Sequence, residues 1–258
     1  MSGLPFDSAS PSTEQTPQPA SPQAIRVELP RSTPYVTYAI IGITVVVFIL
    51  QLATQALLGE DLPVIFFIKS NEWIREGEIW RLLTPMLVHG SLVHIGFNMY
   101  ALLSFGVSLE RHFGRGRFLL LYLLGAFAGN VASFLFTEAN SLGASTAIFG
   151  LLGAEAVFLI QNRKLFAGQF RSAIGNIIFI AAINLFLIGS LANVDNWGHI
   201  GGLLGGLMFT SFAGPVYEVE GIHPAYRLVD KRPFSAILVG AATVVLVFGG
   251  LALWGMVR

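Results

Sequence analysis

Three short stretches hold the residues whose types could do chemistry together. HGSLVHIGFN carries His89, His94 and Asn98, GASTAIFG carries Ser145, and WGHIGGLLGG carries His199. The chain has no cysteine, so a nucleophile must be a hydroxyl, a carboxylate or a metal-bound water, and no disulfide can form. A serine hydroxyl attacks a carbonyl only when a base takes its proton, and His199 is the histidine placed to serve Ser145. At a helix start Ser145 also has unpaired backbone N–H groups and the positive end of the dipole beside it, which favour a developing oxyanion. His94 and Asn98, four apart and so on one helical face, offer side-chain donors to the same charge. Phe149, one turn beyond Ser145, is placed to pack against the imidazole, and Asp195, four before His199, is a candidate to orient it. His89 and His94 are five apart and do not share a helical face, and no His-Glu-x-x-His run supplies a metalloprotease base. No metal and no cofactor are expected.

These residues need elements to bring them together, and the composition says which kind. Of 258 residues 54% are hydrophobic and only 12% are charged, with a mean hydropathy of +0.69. A domain of this size cannot clothe its surface in so few polar groups, so its solvent is mostly lipid. Fifteen basic residues balance fifteen acidic ones, which removes the basic excess that nucleic-acid binding needs. Seven apolar stretches approach the length of a membrane-crossing helix, at about 35–57, 83–109, 118–136, 145–160, 173–191, 197–214 and 234–257. They lack the alternation of barrel strands. An all-α polytopic membrane helix bundle is expected, and no paired inverted repeats suggest a transporter.

Residues 1–34 are rich in Pro, Ser, Thr and Gln and read as a disordered cytoplasmic tail, with neither signal peptide nor presequence. A six-helix core at 35–214 follows, then a cytoplasmic linker at 215–233 and a seventh helix at 234–258. Placing the N-terminus inside leaves only Lys69, Arg75, Arg81 and Arg258 among the basic residues outside, which sets the orientation as N-terminus cytoplasmic and C-terminus extracytoplasmic. His112 and His223 then fall in cytoplasmic connections and read as solvated. The second, fourth and sixth spans all run inward, so their starts share one membrane face and Ser145 can meet His199. The fourth span rises only about 24 Å against a hydrocarbon core of about 30 Å, so Ser145 is expected at the floor of a cavity. Gly202 and Gly206, with Gly150 and Gly153 opposite, permit the close backbone approach that a serine–histidine contact requires.

The chain resembles the rhomboid intramembrane serine proteases. Trp80-Arg81, His89-x4-His94-x3-Asn98, Gly143-Ala144-Ser145 and His199-x2-Gly202-x3-Gly206 match the family's motifs in type, order and spacing, and Glu110-Arg111 is similar to the end of its second helix. The resemblance implies that Ser145 is the nucleophile and His199 the general base of a dyad with no third carboxylate. It implies that His94, Asn98 and the Ser145 N–H surround the oxyanion. His89, Trp80, Arg81, Phe149, Gly143, Gly202 and Gly206 take structural roles. It also accommodates an extra helix after a six-helix core, and implies cleavage of single-span membrane proteins near the outer face of the cell membrane. The chain departs from the family at Thr146, where many members have glycine. A silent relative that binds membrane clients is the alternative, against which the Ser145 and His199 pair argues.

Overall fold

The computed structural model describes residues 33–190, 194–222 and 225–258. The tail expected over residues 1–34 lies outside the described residues except for Thr33 and Pro34, and His223 lies outside them too. In chain order the elements are α1 (Tyr35–Leu58), α2 (Leu62–Phe67), α3 (Asn71–Arg75), α4 (Leu92–Phe113), α5 (Arg115–Phe136), α6 (Ser145–Gln161) and α7 (Phe170–Ala182). A π-helical turn, Ile183–Ile188, extends α7, and then come α8 (Asn196–Ala213), β1 (Tyr217–Ile222), β2 (Ala225–Asp230) and α9 (Phe234–Met256). Among the described residues, five helices are long and apolar enough to cross a membrane: Tyr35–Leu58, Leu92–Phe113, Arg115–Phe136, Phe170–Leu187 and Phe234–Met256. The apolar α6 is shorter, and α8 is diluted by glycine. The protein is a polytopic helical membrane bundle, with five candidate spans where seven were expected.

Two boundaries differ from expectation. The second span was expected from residue 83, but α4 begins only at Leu92. Pro85 has no N–H to continue a helix, so the chain makes two 3₁₀ turns, Ile79–Leu82 and Thr84–Leu87, and is extended at Val88. Ser91 then caps α4, its hydroxyl accepting the His94 N–H at 3.1 Å. His89 consequently precedes the helix. The expected linker is also not plain coil, because β1 and β2 pair antiparallel from Tyr217↔Asp230 to Ile222↔Ala225.

The hairpin docks on helix ends. Asn162 accepts the Tyr217 N–H and donates to the Pro215 carbonyl, while Arg117 pairs with Asp230 at 2.9 Å. The Tyr217 hydroxyl donates to the carbonyl of His112. His112 lies in the last turn of α4 with its ring against Phe158 and Phe166, which corrects its reading as a solvated connection residue. At this end too, buried Glu110 accepts the N–H groups of Val36 and Thr37 and the Thr37 hydroxyl, satisfying orphan donors at the start of α1. Gly114, at φ +77°, reverses the chain between α4 and α5.

The enclosed centre is made by α5, α6 and α8, while α7 with its extension is the least buried of the five candidate spans. Glycine sets the spacing of this trio. A Cβ on Gly150 would sit 2.9 Å from the Gly125 Cα, and one on Gly153 would sit 2.6 Å from the Leu203 carbonyl oxygen. Such approach lets backbones pack where lipid offers no hydrophobic drive toward association. On α1 the buried residues form one stripe, Thr37, Ile40, Thr44, Phe48 and Gln51.

Candidate active site

Ser145 is the first residue of α6, and His199 lies in the first turn of α8. The Ser145 Oγ is 3.0 Å from the His199 Nε2, a hydrogen-bonding distance. His199 is buried, and the Phe149 ring stacks on it at 4.3 Å between centroids and 7° between planes. His199 Nδ1 has no hydrogen-bond partner among the described residues, so no third side chain is bonded to the ring there. The starts of α4, α6 and α8 thus meet in one layer, as their alternating directions require.

Asp195 does not touch the imidazole. Its Oδ1 caps α8, accepting the Gly198 N–H at 2.9 Å and the Thr137 hydroxyl at 3.0 Å. It therefore caps the helix that carries His199 and makes no hydrogen bond to the ring.

The expected oxyanion donors lie nearby, with part of their capacity already used. Asn98 is buried and donates one amide hydrogen to the His94 carbonyl at 2.9 Å, leaving its second hydrogen uncommitted. The His94 Nδ1 faces the Gly90 N–H at 3.5 Å, a long contact that suits a neutral ring with its proton on Nε2. The Ser145 N–H itself has no partner among the described residues. Gly143 has φ +117°, and a Cβ there would lie 2.7 Å from His94 Nε2, so glycine is required by both backbone and space.

The remaining expected residues are supports. Buried Arg81 donates to the carbonyls of Ile65 and Ile68, pairs with Glu78, and lies over the Trp73 ring. Trp80 is half exposed and donates to the Phe66 carbonyl at 3.2 Å. His89 accepts the Ala144 N–H through Nε2 at 3.3 Å. A Cβ on Gly202 would overlap the Thr146 carbonyl oxygen, and one on Gly206 would overlap that of Gly150. The buried side chain of Thr146 lies over two glycines: a Cβ on Gly129 would be 2.6 Å from Thr146 Cβ, and one on Gly198 would be 3.1 Å from its Cγ2. Glu155 on α6 has an Oε2 without a partner among the described residues.

Sequence reasoning missed two supports. Lys69 is fully buried and donates to the carbonyls of Thr137 and Ala139 at 2.6 and 2.9 Å, while its backbone pairs with Ser141. It thereby fixes the loop that leads into Ser145. Burial pushes its ammonium down to about 8, against the opposing pull of Asp195 and Glu138. Gln51 on α1 bonds the backbone of His89. A lysine in a loop carries no sequence signal of burial, whereas a glutamine inside an apolar span does.

Residues 76–215 match the rhomboid domain. The chain is 40% identical over 218 residues to rhomboid protease GluP of Bacillus subtilis (strain 168), a match that spans 84% of this chain and 41% of that protein. It is 42% identical over 160 residues to RHOMBOID-like protein 1 of Arabidopsis thaliana, spanning 62% of this chain and 39% of the relative. It is 33% identical over 160 residues to RHOMBOID-like protein 9, chloroplastic, of the same plant, spanning 62% and 37%. The chain therefore spans about two fifths of the length of these three curated relatives.

Proposed function

The chain belongs to the rhomboid family, and from that membership we propose that it is an intramembrane serine endopeptidase acting on single-span membrane proteins near the extracytoplasmic face of the cell membrane. The observation that carries this reading is the contact of 3.0 Å between Ser145 Oγ and His199 Nε2. Unbonded, Ser145 and His199 would serve only as polar residues of a packed bundle. In hydrogen-bonded contact they form a nucleophile and its base.

In the proposed reaction Ser145 Oγ attacks the scissile carbonyl carbon while its proton passes to His199 Nε2. The negative oxygen is stabilised by the Ser145 N–H, the free hydrogen of Asn98 and His94 Nε2–H. Collapse breaks the C–N bond, His199 gives its proton to the leaving amine, and the acyl group remains on Ser145. Water, deprotonated by His199, releases the second product and restores the hydroxyl. Phe149, stacked on the imidazole, holds the ring in the plane this transfer needs. The N-terminus is cytoplasmic in this reading.

The test is labelling of the purified protein with a fluorophosphonate, together with cleavage of a reconstituted single-span substrate. Wild type should react at Ser145 and cleave, and Ser145→Ala and His199→Ala should each lose essentially all turnover while remaining folded. Near-wild-type cleavage by either variant would overturn the dyad. A wild type that is neither labelled nor active would point to the silent, client-binding alternative.

A further inference from the structure

We propose that Gln51, within α1, is a positioning residue for the candidate nucleophile, acting through His89 on the backbone just before Ser145. The inference rests on the protease reading above and names a part of the site that lies on a helix carrying none of the reacting groups.

A glutamine within a membrane-spanning helix is costly unless its amide is satisfied. Gln51 is buried, and its amide is used completely. Nε2 donates one hydrogen to the His89 carbonyl at 3.0 Å and the other to Asp61 Oδ2 at 2.9 Å. Oε1 accepts the His89 N–H at 3.0 Å. One side chain therefore grips both backbone groups of one residue, as a neighbouring strand would. Without it, both backbone groups of buried His89 would lose the partners they have here.

The grip continues to the nucleophile. His89 Nε2 accepts the Ala144 N–H at 3.3 Å, which requires its proton to reside on Nδ1. One residue earlier, the Gly143 N–H donates to the Pro85 carbonyl at 2.9 Å. Two successive amides of the loop are thus held by segment 85–89, and that segment is fixed to α1 by Gln51. The next amide in sequence, that of Ser145, is the one without a partner among the described residues. Its direction depends on how the two before it are held. Gln51 thereby sets both where the hydroxyl stands and where the oxyanion donor points.

Gln51→Leu in the full chain tests this. The rate constant for fluorophosphonate capture of Ser145 should fall about ten- to a hundredfold, as for a displacement of reacting groups by an ångström or less, while the probe concentration for half-maximal rate stays unchanged. Gln51→Glu supplies the conservative rescue. Its neutral acid has both an acceptor and a donor for His89, whereas its carboxylate has no donor, so its rate relative to wild type should recover as pH is lowered. The double variant Gln51→Leu/His89→Ala should be no slower than His89→Ala alone. Wild-type capture by Gln51→Leu, or losses that multiply in the double variant, would overturn the proposal. If wild type itself is not labelled, the protease reading fails separately. ¹⁵N-histidine spectra then decide the positioning: His89, assigned by its loss in His89→Gln, should be a single Nδ1–H tautomer in wild type and a mixture in Gln51→Leu. An unchanged tautomer in Gln51→Leu sinks the inference.

Discussion

Gly202→Ala should separate the dyad. His199 is three residues before Gly202 on α8, and Thr146 follows Ser145 on α6, so any obstacle between Gly202 and Thr146 acts beside the reacting atoms. A methyl carbon on Gly202 would lie 2.9 Å from the Thr146 carbonyl carbon and would overlap its oxygen. The overlap with the oxygen is the deeper clash, so relief requires the helices to part by about 1 Å or more. The obstructing atom is backbone, so no side-chain rotation can absorb the movement. The hydrogen bond of 3.0 Å between Ser145 and His199 would then open beyond about 3.5 Å, where it ceases to direct proton transfer. Displacement of this size costs turnover on the order of a hundredfold. The assay is fluorophosphonate capture and substrate cleavage in one detergent, with circular dichroism and thermal melting to establish folding. Gly250→Ala on α9 is the control, because a Cβ there meets nothing within 4 Å. A folded Gly202→Ala protein that reacts like wild type would refute the claim that backbone contact sets the dyad distance.

Thr146→Gly should keep its cleavage rate but melt at a lower temperature. The loss is about 0.5–1 kcal/mol from glycine's backbone freedom plus a cavity term for the hole left between Gly129 and Gly198, and a large rise in rate would show that Thr146 obstructs the site. Asn98→Ala and His94→Ala should each lower turnover about 10²- to 10³-fold with less effect on substrate binding; weakened binding at unchanged turnover would move them to the substrate path. Lys69 titrates near 8 when folded and 10.5 when unfolded, so between those pH values the unfolded state binds more protons and stability should rise with pH. Subtracting the melting profile of Lys69→Met isolates this contribution, and a flat or falling difference would contradict the burial argument.

The pairing of Ser145 with His199 was legible because few polar residue types survive inside apolar spans, and the alternating direction of the helices brings the two to one face. The glycines were legible for the same reason, since Gly202 and Gly206 recur at one-turn spacing. The start of α4 was not, because Leu83, Met86, Leu87 and Val88 are apolar and hide the break that Pro85 imposes. The hairpin was also missed. Tyr217–Ile222 and Ala225–Asp230 are short, mix charge with apolar residues, and are held by Asn162 and Arg117, which lie far away in sequence. Gln51 stood in plain view within α1, but what it holds at His89 is backbone, and a backbone group leaves no mark in the sequence. Asp195 was visible as a neighbour of His199, whereas its choice of the Gly198 N–H and the Thr137 hydroxyl depended on tertiary placement.

The docking of the hairpin bears on how the chain is made. Its partners Arg117, Asn162 and His112 come from the ends of three different helices, all synthesised before β1 emerges. Those ends lie on the same face only if each intervening segment has threaded the bilayer in its proper direction. A chain with one segment inserted backwards would present part of this surface to the opposite compartment, and Tyr217 and Asp230 would find no seat. The seat of the hairpin is therefore complete only in a chain whose α4, α5 and α6 ends have come together on one face.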